Sequence, residues 1–127
     1  MNVIAQWHEV VARKDPALLA ALLADDVVFQ SPAVHSPQEG KAITLKYLGA
    51  ALVVLNNESF RYLDEWVLAD KAVLEFESEV DGLIVNGVDM IWWDESGRIT
   101  RFKVMVRPLK ALNALVALMA AELTRAG

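Results

Sequence analysis

No cysteine occurs among the 127 residues. This excludes disulfides, thiol nucleophiles and the commonest zinc sites, and it fits a reducing compartment, so a cytoplasmic protein is expected. Histidine is scarce: His8 and His35 stand far apart without ligand spacing, and no metal is expected. Basic residues never cluster beyond the pair Arg13-Lys14, and 17 acidic residues outweigh 12 basic ones to a net charge of -5. The electrostatic footprint of a nucleic-acid binder is therefore missing. The most apolar run, "ALNALVALMAAEL" from Ala111, is interrupted by Asn113 and ends at Glu122, short of the ~20 residues a membrane span requires. The opening "MNVIAQWHEVVARKD" lacks the basic and apolar regions of a signal peptide. Repeats, low-complexity tracts and linker-like breaks are absent too, which leaves one domain over residues 1–127 and no cofactor.

What is present is apolar. Hydrophobic residues make up 55% of the chain and mean hydropathy is +0.32, so either the core is large or apolar surface meets a partner. In the first half, Ile4, Trp7 and Val11 recur at helical spacing. Asp15-Pro16 then supplies an N-cap and a first-turn proline for a second helix through "ALLAALLA". Asp25-Asp26 is expected to stop that helix, "VVFQ" reads as a short strand, and "SPAVHSPQEG" as a loop leading to a third helix near residues 41–55.

The period then changes from 3.6 to 2. Strands are predicted near residues 59–68, 72–80, 83–93 and 98–106, forming an antiparallel meander whose connections are "ADK", Asp81-Gly82 and "DESG". Gly87 is expected to mark a bulge. After Pro108, residues Leu109, Leu112, Val116, Met119 and Leu123 share one face of an amphipathic helix. The expected class is α+β, a curved antiparallel sheet packed against N-terminal helices with an added C-terminal helix.

One strand carries an oddity: "GVDMIWW", residues 87–93, sets Asp89 among apolar and aromatic neighbours. Alternation places Asp89 and Ile91 on the same face as Phe102 and Val104, and sends Met90, Trp92 and Met105 to the other. The carboxyl is thus expected to look into an enclosed space, with a raised pKa because no Lys or Arg on its strand restores the charge.

The pattern "LLADDVVFQSP…PQEGKAI…YL" followed by "GVDMIWWDESGRITRFKVMVRPL" resembles the NTF2-like superfamily, and within it the SnoaL-like branch near ketosteroid isomerase. The resemblance implies a cone-shaped fold, a homodimer formed through the open sheet face, and a small, largely apolar ligand of polyketide or steroid type. Ketosteroid isomerase uses a tyrosine, a base aspartate and a protonated aspartate that donates a hydrogen bond. By the landmarks above these fall on Trp7, Ser31 and Asp89, so only Asp89 keeps its side chain. A serine hydroxyl does not accept a proton at neutral pH without a partner base. His35, four residues on, is the candidate replacement base. Asp89 and His35 are therefore the candidate catalytic residues; Trp7, Ser31, Tyr47, Phe102 and Val104 are the candidate ligand-binding residues. Trp7 also reads as a core side chain, Tyr47 as a solvent-facing phenol and His35 as an ordinary loop residue. A Ser31–His35–Asp89 triad lacks any strained nucleophile turn. Two functions from different classes fit these residues: proton-transfer chemistry of an isomerase, cyclase or hydratase kind, and non-catalytic ligand binding or dimeric scaffolding.

Overall fold

The computed structural model describes residues 2–125. Two helices, α1 (Val3–Arg13) and α2 (Pro16–Leu22), open the chain. Asn2 caps α1 by accepting from the Ala5 N–H at 3.0 Å, and Asp15 caps α2 by accepting from the Ala17 N–H at 2.9 Å. Both oxygens satisfy backbone donors that have no partner within the helix. There follow β1 (Leu23–Gln30), the two-residue β2 (Gln38–Glu39), α3 (Lys41–Val54), β3 (Arg61–Val67), β4 (Lys71–Val80), β5 (Leu83–Trp93), β6 (Ile99–Arg107) and α4 (Leu109–Arg125).

The six strands form one sheet in the order β2-β1-β6-β5-β4-β3. β3 to β6 make the antiparallel meander the period-2 pattern predicts. Asp81 and Gly82, both at positive φ (53° and 77°), close the β4–β5 hairpin, as a two-residue turn of the primed type requires. The sheet is not wholly antiparallel, however: β1 runs parallel to β6. The direction of β1 follows from the long path through α3 and the meander that separates the two strands in sequence, and local patterning carries no trace of it. β1 also begins earlier than expected. Asp25-Asp26 does not precede the strand but lies within it, where the register slips between Leu23 and Val28 and both carboxylates stay in solvent.

Gly87 is a second correction. β4 and β5 pair in unbroken register from Lys71↔Trp92 to Val80↔Leu83, so there is no bulge at Gly87. The glycine is needed for space: a Cβ there would stand 2.6 Å from the Met105 carbonyl oxygen and 2.6 Å from Cζ of Phe76. Phe76 is 1% exposed and stacks on Phe60, ring centroids 5.6 Å apart, so it has little room to retreat. Gly87→Ala is expected to destabilise the protein by roughly 1–3 kcal/mol, the usual cost of overpacking, read as a lowered urea midpoint with unchanged slope.

The concave face of the sheet holds the core. Trp7, Val10, Leu19, Leu48 and Leu52 from the helices pack on Phe29, Leu74, Ile91, Ile99 and Phe102 from the sheet. A second cluster joins Leu55, Phe76, Val80 and Val85 to Ala111 and Leu115 of α4, which therefore lies across the open end of the cone. The convex face leaves apolar side chains accessible: Trp66, Ile84 and Met105 are about half exposed, and Met90 and Trp92 are half-buried. The Arg101 guanidinium sits 4.3 Å from the centre of the Trp92 ring.

Candidate functional site

Between the helices and the concave sheet face lies a cavity of about 240 Å³. α1 contributes Trp7 and Val11, α3 contributes Tyr47, Leu48 and Leu52, and Phe29, Phe102 and Val104 rise from the sheet. Ser31 to Val34 form one lip, and Leu115, Val116 and Met119 of α4 close the opposite side. Among the described residues lining it, Asp89 is the only carboxylate, and there is no Lys, Arg or His.

Asp89 reaches this floor because β5 is central: Leu74 of β4 and Val104 of β6 flank it in register, and every second residue of β5 turns inward. Its side chain is buried, 7% exposed. The Tyr62 hydroxyl donates to Asp89 Oδ2 at 2.6 Å. That hydroxyl in turn accepts from Trp7 Nε1–H at 2.8 Å. Burial penalises the carboxylate and pushes Asp89 up to about 7; the Tyr62 hydrogen bond opposes this but does not cancel it. The same burial, with the Asp89 charge adjacent, holds the Tyr62 phenol well above its ordinary value, so Tyr62 remains a protonated donor. On the far side of Tyr62, His8 meets the ring edge-on at 5.3 Å between centroids and pairs with Glu65.

The structure gathers six of the seven sequence candidates around the cavity: Asp89, Trp7, Ser31, Tyr47, Phe102 and Val104. The hydrogen bonds of two of them set what each can offer a ligand. Trp7 spends its N–H on Tyr62, so it walls the cavity and has no donor left for a ligand. Ser31 Oγ accepts from the N–H groups of Ala33 and Val34 at 3.1 and 3.2 Å, which leaves its own hydrogen as the group it can offer. His35 is not brought in: it stands exposed on the loop, outside the residues lining the cavity. The loop turns back on Ser31 through those two hydrogen bonds and directs the histidine to solvent. Among the described residues no cluster of His, Asp and Glu is arranged to hold a metal, and no helix is long and apolar enough to cross a membrane.

Tyr62 is the residue that sequence reasoning missed. "FRYLDEWV" places Phe60 and Tyr62 on one side, which is a signal, but Asp64 and Glu65 then break the alternation. The cause is a register slip between Tyr62 and Asp64, which lets Tyr62 and Glu65 both turn to the concave side.

A curved sheet wrapped by helices around an apolar cavity, with one acid on its floor, defines an NTF2-like protein. The SnoaL-like domain family model matches residues 4–102, and the chain belongs to that family. Among solved structures, a steroid delta-isomerase from Pseudomonas aeruginosa is 38% identical with a TM-score of 0.91, over 97% of this chain and 90% of that one. A protein with a cystatin-like fold from Silicibacter pomeroyi DSS-3 is also 38% identical, with a TM-score of 0.86, over 94% of this chain and 83% of that one. An NTF2-like protein from Mesorhizobium loti, 20% identical with a TM-score of 0.72 over 84% of this chain and 88% of that one, shares the fold. No curated protein matches the chain.

Proposed function

We propose that this single SnoaL-like domain binds a small, largely apolar molecule of polyketide or steroid type in its cone, and that Asp89 moves a proton on it. The observation that carries this reading is the Tyr62–Asp89 hydrogen bond on the floor of an otherwise apolar cavity. A carboxyl that titrates near 7 can both take and return a proton at neutral pH, which is the property a shuttle needs. The steroid delta-isomerase at 38% identity supports the same class of chemistry.

On a ketone whose double bond can migrate, the ionised carboxylate would remove a proton from the carbon beside the carbonyl. The C–H bond breaks, an O–H bond forms on Asp89, and the electron pair passes into an enolate. Returning that proton to a different carbon re-forms the carbonyl and leaves the double bond displaced. No second base is needed. Tyr47 and Ser31, which line the same cavity, carry the hydroxyls that this reading assigns as donors to the enolate oxygen.

The test is a thermal-shift screen of neutral polycyclic ketones, followed by proton exchange from the carbon beside the carbonyl in deuterated solvent. Binding with exchange that Asp89→Asn abolishes supports the shuttle. Binding without exchange would assign the cone to non-catalytic ligand capture.

The reading extends to assembly. On the convex face Val88, Met90, Trp92 and Met105 form an apolar strip, with Glu75 and Glu77 of β4 on one side and Arg101, Lys103 and Arg107 of β6 around it. A two-fold axis through β5 would set the acidic strand of one copy against the basic strand of the other, an arrangement suited to a homodimer. The expected result is a dimer at micromolar concentration by light scattering, converted to monomer by Trp92→Glu; a native monomer would remove this part of the proposal. The absence of cysteine supports a cytoplasmic setting.

A further inference from the structure

The cavity floor has a directionality that the shuttle alone does not require. An indole N–H donates and cannot accept, so the Trp7–Tyr62 contact has one possible sense. A phenol has a single hydrogen. With the Tyr62 oxygen already accepting from Trp7, that hydrogen is directed to Asp89 Oδ2, its acceptor at 2.6 Å. The other carboxylate oxygen, Oδ1, has no hydrogen-bond partner among the described residues, yet no walled-off side-chain oxygen among them lacks one. Oδ1 therefore opens onto the cavity that Asp89 lines.

We propose that Trp7 is a positioning residue: acting through Tyr62, its N–H holds Oδ2 of Asp89 as a permanent acceptor and leaves Oδ1 as the oxygen that carries, gives and takes the proton on the ligand side. Without Trp7 the phenol is free to turn, and a protonated Asp89 can direct its own hydrogen to the Tyr62 oxygen, away from the cavity. The packing suits a fixed orientation. Trp7 is 3% exposed and its ring lies against Phe102, centroids 4.9 Å apart, so the indole cannot swing out. The titratable groups that neighbour the relay are His8 of α1 and Glu65 of β3, paired with each other beside Tyr62.

The assignment of Oδ1 as the working oxygen rests on the shuttle reading; the coupling of Trp7 to Asp89 does not. The experiment is therefore carried out without ligand, as a carbon-13 NMR titration of the Asp89 carboxyl in the native protein and in Trp7→Phe, Tyr62→Phe and the double variant. Trp7→Phe weakens the Tyr62 donor and should raise the Asp89 midpoint by roughly half a pH unit to one unit. Tyr62→Phe should raise it at least as far. In the Tyr62→Phe background, the Trp7 change should have no further effect, because the path between them is gone. An equal shift in both backgrounds would overturn the proposal and make Trp7 a packing residue. An unmoved midpoint in a folded Trp7→Phe variant would do the same. If Trp7→Phe does not fold, replacing Trp7 by benzothienylalanine keeps the ring shape and removes only the N–H, with the same outcomes deciding. Loss of the proton-exchange activity in the screen above, with this coupling intact, would instead count against the shuttle.

Discussion

At pH 8 Asp89→Asn is expected to melt higher than the native protein while its proton-transfer rate falls by roughly 10²- to 10⁴-fold. The two effects share one cause. Asp89 has a folded-state pKa of about 7 against an ordinary value of 3.8, so between those limits the native state holds a proton that the unfolded state has released. Stability must then fall as pH rises from about 4 to about 7, and stay low above it. The full displacement corresponds to something on the order of 4 kcal/mol at alkaline pH. An amide reproduces the protonated carboxyl: its oxygen accepts from Tyr62 and its nitrogen faces the cavity, where incomplete hydrogen bonding takes back part of the gain. The net increase is expected to be about 1–3 kcal/mol at pH 8, with Tm rising roughly 4 °C for each kcal/mol, to vanish between about pH 4.5 and 6 and to change sign below that, where only the amide's incomplete hydrogen bonding remains. Every other ionisable side chain is common to the two proteins, so the difference between the two melting curves isolates Asp89. A native protein that gains stability relative to the variant as pH rises from 4 to 7 would mean a structural carboxylate with a lowered pKa, and would sink the shuttle with it.

Deletion of the chain after Leu109 is expected to leave a protein that aggregates on expression and retains no ligand-induced thermal shift. α4 is not an appendage. Ala111 and Leu115 are 1% and 3% exposed and complete the cluster around Leu55, Phe76 and Val85, while Val116, Met119 and Leu123 wall the cavity. Leu115→Ala alone should cost about 2–5 kcal/mol, as a buried leucine truncation does. Removing the whole helix uncovers both the second cluster and the cavity, a loss comparable with the entire ~5–15 kcal/mol margin of a domain. A truncated protein that stays dispersed by light scattering and melts at the native temperature would show that the cone closes without it.

Much of this was written locally in the chain. The caps at Asp15-Pro16 and the Asp81-Gly82 turn are decided by residues within a few positions of one another, and the structure places elements there. So was the side on which Asp89 falls, because a strand has period 2 and burial of Ile91 and Phe102 admits only one parity. Cysteine-free, acidic composition likewise needed no fold to be read. The stripe after Pro108 was only partly right: Leu109 is 72% exposed, and the residues α4 buries are Ala111 and Leu115, because its packing partners Leu55, Phe76 and Val85 lie elsewhere in the chain. What local pattern could not decide was which distant residues meet. The parallel seating of β1 on β6 depends on the path of the whole chain between them. The absence of a bulge at Gly87 depends on a ring from the neighbouring strand. Ser31 and His35 sit four residues apart, but the loop's own hydrogen bonds turn one toward the cavity and the other to solvent. Trp7, Tyr62 and Asp89 lie on a helix and two non-adjacent strands, and a register slip in β3 brings the phenol inward. Alternation determined that a carboxyl would be buried; only the tertiary structure decided which donor would meet it, because hydrogen-bond partners are chosen by distance in space and the sequence records only distance along the chain.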